Sequence, residues 1–159
     1  MINLAKATDA TSATSSIVVS FDSRWYELLQ RGKIRAVIRK RGPKKIRPEC
    51  IYVYLNSPIS AMVARLPIRE FEWRNDVDAQ LCEKSTLNPK EIRAYTGGER
   101  FAVYYVGKPE LAQPKVHLDE LASKLGFVPP QSFFILSSSG KEQLDTLGKF
   151  GTLVSRARR

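Results

Sequence analysis

Short runs of β-branched and aromatic residues, separated by turn residues, constrain the fold of this chain most. The runs occupy residues 17–21, 35–41, 50–55, 101–106 and 132–136, and residues 61–73 form one long strand or two broken ones, with a bulge or edge near Pro67. Helical patterns do not alternate with these runs, so the chain lacks the βαβ period of a parallel sheet. We therefore predict an α+β domain built on a small, mostly antiparallel barrel with two or three flanking helices.

Three segments carry helix signals. Asp22 or Ser23 can cap a first helix that ends at Gly32, because a short side-chain oxygen accepts a free backbone N–H. The sequence NPKE at residues 88–91 places a capping asparagine before a proline at the first helical position and a glutamate at the third, which is a strong helix start. A third helix is predicted over residues 118–125.

The positive charge of the chain is local. Of its 26 Lys and Arg residues, eight lie in residues 32–47, GKIRAVIRKRGPKKIR, which contain no acidic residue. Three more lie in residues 156–159, and the remaining 15 face all 16 acidic residues of the chain. The net charge of +10 is therefore concentrated in two short segments, and a polyanion is the partner that such a concentration favours.

Alternation within residues 35–41 predicts a strand with two different faces. Ala36 and Ile38 are expected to face the core, whereas the face with Val37 would carry a row of basic groups that continues into the following loop. The predicted nucleic-acid-binding residues are Arg35, Arg39, Lys40, Arg41, Lys44, Lys45 and Arg47. A solvated edge strand also carries Lys and Arg, but a solvated surface normally mixes charges. The absence of acids therefore favours a phosphate-binding surface.

Length and composition predict one soluble domain. It is expected to span residues 17–136, between a flexible leader at residues 1–16 and a loosely ordered basic tail at residues 137–159. Cys50 and Cys82 are too few and too far apart for a disulfide framework or a zinc site. No apolar run approaches the roughly 20 residues of a membrane span. We therefore expect a cytoplasmic protein with no membrane partner and no cofactor.

Six segments, taken in chain order, resemble one known family. They are residues 32–41, 51–54, 56–63, 91–98, 105–107 and 129–133, with the sequences GKIRAVIRKR, IYVY, NSPISAMV, EIRAYTGG, YVG and PPQSF. Their succession is similar to the ASCH domains of the PUA-like superfamily, and within it to the subgroup described as predicted transcriptional regulators with a PUA-like domain. The similarity spans residues 17–136.

The resemblance implies a six-stranded pseudo-barrel with a cleft that binds RNA or a modified nucleobase. Some members of the family are acetylcytidine amidohydrolases, and at least one has been reported to act as a ribonuclease. The amidohydrolases use a lysine, a threonine and a glutamate. The lysine position falls on Ile34, or on Lys33 after a shift of one residue, and the threonine position falls on Val37. Lys33 and Glu83 are the candidate catalytic residues that the resemblance implies.

The turn after the third strand and the segment after the paired prolines are expected to form the walls of this cleft. Tyr54, Asn56 and Ser57 would lie on one wall, and Gln131 and Ser132 on the other. Tyr54 could stack against a base, which is worth about 1–3 kcal/mol, or pack in the core. Gln131 and Ser132 could read the edge of a base or simply begin a strand.

Composition narrows the chemistry further. The single histidine, His117, excludes a ribonuclease mechanism with paired histidines. The acidic residues within residues 70–78 are better explained as a solvated strand end and helix start than as metal ligands, and we predict no metal site. Three functions stay open: a nucleic-acid-binding module with a regulatory role, a ribonuclease or amidohydrolase, and a protein-interaction module for an acidic partner. The concentrated charge and the missing threonine favour the first.

Overall fold

The computed structural model describes residues 15–43 and 47–151, which form seven strands and five α-helices. The strands are β1 (Ser15–Phe21), β2 (Ala36–Arg39), β3 (Pro48–Leu55), β4 (Ala61–Arg74), β5 (Phe101–Val106), β6 (Glu110–His117) and β7 (Phe133–Leu136). The helices are α1 (Tyr26–Gln30), α2 (Ala79–Ser85), α3 (Pro89–Thr96), α4 (Leu118–Leu125) and α5 (Ser138–Gly148), and a 3-10 turn at Ser23–Trp25 precedes α1. The predicted α+β class is confirmed.

All seven described strands belong to one sheet, in the order β2-β5-β4-β3-β1-β7, with β6 beside β4. The long strand β4 joins its two halves, because β3 pairs with residues 61–67 of β4 and β5 pairs from Ile68 onward. Among these pairs β1 and β3 run parallel and the others antiparallel. The edge strands β2 and β7 do not pair with each other, so the pseudo-barrel is open.

Strand β6 is the element that the sequence pattern did not predict. Its sequence, ELAQPKVH, contains a proline and no regular alternation. It pairs with β4 in two short stretches separated by a register shift. Burial of Leu111 and Val116, rather than local propensity, holds it in the sheet. The predicted count of six strands is therefore corrected to seven within the described residues.

Strand β2 is buried on both faces, which corrects the prediction of one outward basic face. Ala36 and Ile38 pack beneath the helices, in a cluster with Leu81 and Ile92. Val37 points the other way, into the interior of the barrel, and is 4% exposed. Alternation identifies two faces but does not say whether one or both are covered. The basic groups are consequently confined to the two ends of the strand.

The sequence predicts a loosely ordered tail after residue 136, but the structure has an 11-residue helix there, α5. Ser137 caps this helix by accepting a hydrogen bond from the Gly140 backbone N–H at 3.0 Å. Leu144 is fully buried, and the Phe150 ring meets the Tyr52 ring edge-on at 5.4 Å. Weak apolar spacing concealed the helix, because tertiary burial rather than amphipathic pattern stabilises it.

A polar network fastens α5 to the sheet. The Asp145 carboxylate accepts hydrogen bonds from the Tyr52 hydroxyl (2.6 Å), the Arg65 guanidinium (2.9 Å) and the Lys141 ammonium (3.1 Å). Arg65 also pairs with Glu110 of β6 at 2.6 Å. Burial, reinforced by the Asp145 carboxylate, raises the pKa of Tyr52 far above its ordinary value, so the phenol remains a donor. Every charge in this network has a partner within the protein.

The boundaries of the predicted leader and tail differ from the bounds of the strands and helices in the structure. Ser15 and Ser16, assigned to the leader by the sequence, already belong to β1, and Ser16 is buried. Residues 1–14 of the predicted leader and residues 152–159 of the predicted tail lie outside the described residues.

Candidate functional site

A cleft of about 930 Å³ lies between β2 and the end of β1, on the side where the sheet is open because its edge strands β2 and β7 do not pair. Its lining comes from β2, from the end of β1 with the turn that follows it, from the α2–α3 region, and from the loop at residues 129–131. Because the sheet does not close at this point, the space between its two halves stays open instead of being filled by strand pairing. The volume falls in the range of small-molecule and nucleotide sites, about 300–1,000 Å³.

Arg39, the last residue of β2, spans the gap in the sheet. Its guanidinium donates to the Ser20 carbonyl at 3.3 Å and to the Ser132 carbonyl at 2.9 Å, and its side chain lines the cleft. Among the described residues no carboxylate lies within 4.0 Å of this guanidinium. Arg39 therefore brings into the cleft a positive charge whose described protein partners are neutral carbonyl groups.

Two aromatic side chains line the cleft from different elements. Trp25 comes from the turn after β1, and the Arg24 guanidinium lies 4.6 Å from the centre of its ring. Tyr95 comes from α3 and is 39% exposed, which is unusual for a tyrosine of a small domain. Tyr95 is exposed, whereas Trp25 is half-buried and packs against the barrel core. The sequence analysis selected neither as a site residue.

Two carboxylates also line the cleft, and local capping hydrogen bonds position both. Asp22 Oδ1 accepts from the Arg24 backbone N–H at 2.9 Å. Glu91 belongs to the predicted capping box, which the structure confirms: Glu91 Oε1 accepts from the Asn88 N–H at 2.9 Å, and Asn88 Oδ1 accepts from the Glu91 N–H at 2.7 Å. Neither carboxylate forms an ion pair with a described residue. The cleft thus offers fixed acceptors beside the Arg39 donor.

The predicted cleft residues divide into two groups. Asn56 and Gln131 line the cleft, and the Ser132 carbonyl takes part through Arg39, whereas the Ser57 and Ser132 side chains are not among the lining groups. Tyr54 lies in the core instead, where it is 2% exposed and its ring centre is 5.2 Å from that of Phe127. Burial raises the pKa of Tyr54, and its ring offers no free face to a ligand.

The structure does not place the two candidate catalytic residues in the cleft. Lys33 is exposed at the exit of α1, and neither Lys33 nor Glu83 is among the lining residues. Glu83 is exposed on α2, 3.9 Å from the Arg35 guanidinium. The helical carboxylate that does reach the cleft is Glu91, eight positions later. Its capping-box position was visible in the sequence, but nothing local indicated that the first turn of α3 faces an opening.

The remaining predicted binding residues do not line the cleft. Arg35, Lys40, Arg41 and Arg47 are exposed at the ends of β2 and β3, where solvent and ligands reach them. Lys44 and Lys45 lie outside the described residues. Basic groups at the ends of a short buried strand are consistent with a charged rim around the opening.

Other candidate chemistry finds a structural explanation. Arg74 reaches Asp76, Asp78 and Glu72 at 3.1, 3.2 and 3.6 Å, so three carboxylates of the acidic run share one arginine. Within residues 15–43 and 47–151, no three His, Cys, Asp or Glu side chains gather as a metal site. Burial raises the pKa of the Cys50 thiol to about 11, which makes it a poor nucleophile at neutral pH. None of the helices in the described part of the chain is long and apolar enough to cross a membrane.

Comparison with known proteins identifies the fold. No protein-family model matches the sequence, and no curated protein is significantly similar to it. Among solved structures, the ASCH protein of Zymomonas mobilis superposes with a TM-score of 0.71 at 20% identity, over 83% of this chain and 94% of that one. A serine-to-alanine variant of the same protein superposes with a TM-score of 0.73 at 19% identity, over 83% and 95%. The N-terminal domain of Staphylothermus marinus McrB gives 0.55 at 8% identity, over 93% and 99%.

At these identities the likeness establishes the fold. The chain has the fold of an ASCH domain, as the sequence resemblance predicts, with an open seven-stranded sheet in place of the expected six strands. Membership in the subgroup of predicted transcriptional regulators stays a prediction.

Proposed function

We propose that this chain is a nucleic-acid-binding module that takes one unstacked base of RNA, or a modified base, into the cleft between β1 and β2. The observation that carries the proposal is Arg39, whose guanidinium lines an aromatic cleft without an acidic partner among the described residues. A partly buried cation favours an anionic or strongly polar ligand, because its charge is otherwise compensated only by carbonyl dipoles. A nucleotide supplies both the phosphate and the flat apolar base that such a cleft accommodates.

The cleft lining supplies the contacts that single-stranded RNA recognition requires. Trp25 and Tyr95 place aromatic rings in the cleft lining, where stacking on a base would contribute about 1–3 kcal/mol per base. Asn56, Gln131 and Glu91 offer amide and carboxylate groups that can bond the edge of a base. An unpaired base exposes the face and the edge that these groups would read, whereas a base inside a duplex hides both.

The exposed basic residues would contribute affinity without selectivity. Arg35, Lys40, Arg41 and Arg47 lie around the ends of β2 and β3, next to Arg39 in the chain. Arginine and lysine contacts to phosphate release counterions, so binding through this surface should weaken as salt rises. Phosphate contacts position the strand, and the cleft would select the base. The ASCH fold is consistent with this division of labour, and a regulatory role would follow from binding without cleavage.

Binding to a labelled single-stranded octaribonucleotide of mixed sequence tests the proposal, with fluorescence anisotropy as the readout. Arg39→Gln should weaken binding at least tenfold, because hydrogen bonds to a charged group contribute about 1.5–3 kcal/mol. Arg31→Gln is the matched control: Arg31 is exposed, pairs with Glu27 at 2.8 Å and does not line the cleft. Thermal melts of both variants check the fold. Equal affinity of the two variants, or association that only a protein partner supports after nuclease treatment, would refute the proposal.

The hydrolase alternative gains no support from its candidate residues. It requires Lys33 and Glu83 to meet in one pocket, whereas Glu83 faces Arg35 and neither residue lines the cleft. Incubation of the protein with RNA and with modified cytidines, followed by chromatography of the products, distinguishes a binder from an enzyme. Recovery of intact RNA and nucleoside is the result we expect.

A further inference from the structure

A row of three residues connects the cleft with a second aromatic surface. Arg39 of β2 pairs with Ala102 of β5, and Ala102 pairs with Trp73 of β4. Directly opposite residues in neighbouring antiparallel strands project to the same face of a sheet. The preceding row, Val37–Tyr104–Phe71, confirms this orientation because all three side chains contribute to the barrel interior. Arg39 and Trp73 therefore face the same side of the sheet at the end of the barrel.

Trp73 lies about 10 Å from Arg39, since each step between neighbouring strands covers about 4.8 Å. It is only partly buried, and the Arg100 guanidinium lies 4.9 Å from the centre of its ring. The Phe71 ring supports it from the core side, edge-on at 5.6 Å. Arg100 is exposed and forms no ion pair with a described residue. Trp73 and Arg100 thus place an aromatic ring and a guanidinium without a described acidic partner next to each other at the surface.

The loop after β2 crosses the row between Arg39 and Trp73. Gly42 of this loop lies so close to β5 that a Cβ on it would come within 2.5 Å of the Tyr104 hydroxyl oxygen and 3.5 Å of the Ala102 Cβ. A side chain at position 42 would clash with the Tyr104 hydroxyl, and the two residues before it, Lys40 and Arg41, are exposed. A nucleic-acid strand that leads from the cleft to Trp73 would therefore pass over this loop, and residues 40–47 contain basic but no acidic residues.

We propose that Trp73 and Arg100 form a second stacking platform, which holds a base next to the one in the cleft while Arg41 contacts the phosphate between them. The partner is single-stranded nucleic acid rather than a free nucleotide. This inference rests on the proposed function of the cleft and extends it. Tryptophan faces and guanidinium planes both stack on bases, and the path between the two platforms carries the charge that a sugar-phosphate chain requires.

The chain contains two tryptophans, one in the cleft and one on the proposed platform, so fluorescence can report on each separately. Trp25→Phe leaves Trp73 as the sole reporter, and Trp73→Phe leaves Trp25. Each variant is titrated to saturation with the four ribonucleoside monophosphates and with an octaribonucleotide of mixed sequence. The monophosphates should change the emission of Trp25 only, whereas the octaribonucleotide should change both.

The two proposals fail in different ways. A silent Trp73 beside a responsive Trp25 overturns the second platform and leaves the cleft intact. A silent Trp25 with both ligands overturns the proposed function, and the second platform with it. Arg100→Gln provides an independent measurement that does not disturb the core, because Arg100 is exposed. It should weaken octaribonucleotide binding about tenfold and leave monophosphate binding unchanged; equal losses for both ligands would contradict the proposal.

Discussion

Charged side chains have different partners on the two sides of this barrel, the side of α5 and the side of the cleft. On the α5 side, Asp145 accepts hydrogen bonds from three donors and Arg65 pairs with two carboxylates. On the cleft side, Arg39 is held only by carbonyl oxygens, and Glu91 and Asp22 have no described cationic partner. Charges that are compensated within the protein stabilise its fold, whereas uncompensated charges are available to a ligand. Whether a charged side chain has a partner within the protein therefore distinguishes structural from functional charges more reliably than the net charge of the chain does.

The largest expected effect of a single substitution is on the α5 side. Leu144→Ala should lower the free energy of unfolding by about 2–5 kcal/mol, because it opens a cavity at a fully buried position. Chemical denaturation measures the change. Octaribonucleotide affinity should stay the same under conditions in which the variant is folded. A decrease below about 0.5 kcal/mol would mean that α5 is a loose tail after all.

Removal of the Asp145 carboxylate, which lies at the centre of the polar network on the α5 side, should lower the free energy of unfolding by a smaller amount. Asp145→Ala leaves the Tyr52 hydroxyl and the Arg65 head without their shared acceptor, and we expect a decrease of about 1–3 kcal/mol in unfolding free energy. Glu142→Ala, an exposed acid on the same helix, is the matched control. If both variants are destabilised equally, the network does not fasten α5 and the comparison between the two sides weakens.

A smaller effect is expected at the start of α5. Ser137→Ala removes the side-chain acceptor for the Gly140 N–H and should cost about 1 kcal/mol. Ser139→Ala, two positions later and exposed within the helix, removes a hydroxyl of the same kind without removing the cap. A thermal melt that shifts for the first variant and not for the second confirms that the cap is the cause.

The smallest change in the free energy of unfolding is expected on the cleft side. Lys40→Ala and Arg41→Ala should each alter unfolding free energy by less than about 0.5 kcal/mol, since both side chains are exposed. Each should still weaken octaribonucleotide binding and reduce the slope of log affinity against log salt by about 0.7 for each phosphate that is no longer neutralised. Strong destabilisation of either variant would show that the basic rim is structural, and the distinction between the sides would disappear.

Sequence patterns predicted the elements that depend on neighbouring residues. The β-branched run of β1 and the apolar run of β5 were predicted correctly, and the capping box at Asn88 marked the start of α3. Strand β6 was missed because its proline and polar residues suggest a loop, although β4 supplies the pairing that holds it. Helix α5 was missed for the same reason: Leu144 stabilises it only through burial against the sheet.

The candidate site could be predicted only in part. The basic stretch led directly to Arg39, and Asn56 and Gln131 also line the cleft. Other predicted cleft residues do not line the cleft, and Tyr54 is an example. Alternation along a strand places Tyr54 on a defined face, but it does not indicate what covers that face. The resemblance implied Glu83 as the functional acid, whereas the acidic residue of this region that lines the cleft is Glu91, eight positions later on the next helix.

By itself, the sequence determined the α+β class, the positions of most strands and caps, and the concentration of positive charge near β2. These properties are local, because propensity, periodicity and capping act over a few residues. Only the tertiary structure decided which charges find partners, that β2 is buried on both faces, and that the sheet stays open between β2 and β7. Pairing and burial join residues far apart in the chain, so the unpartnered Arg39 that marks the site becomes visible only after the chain has folded.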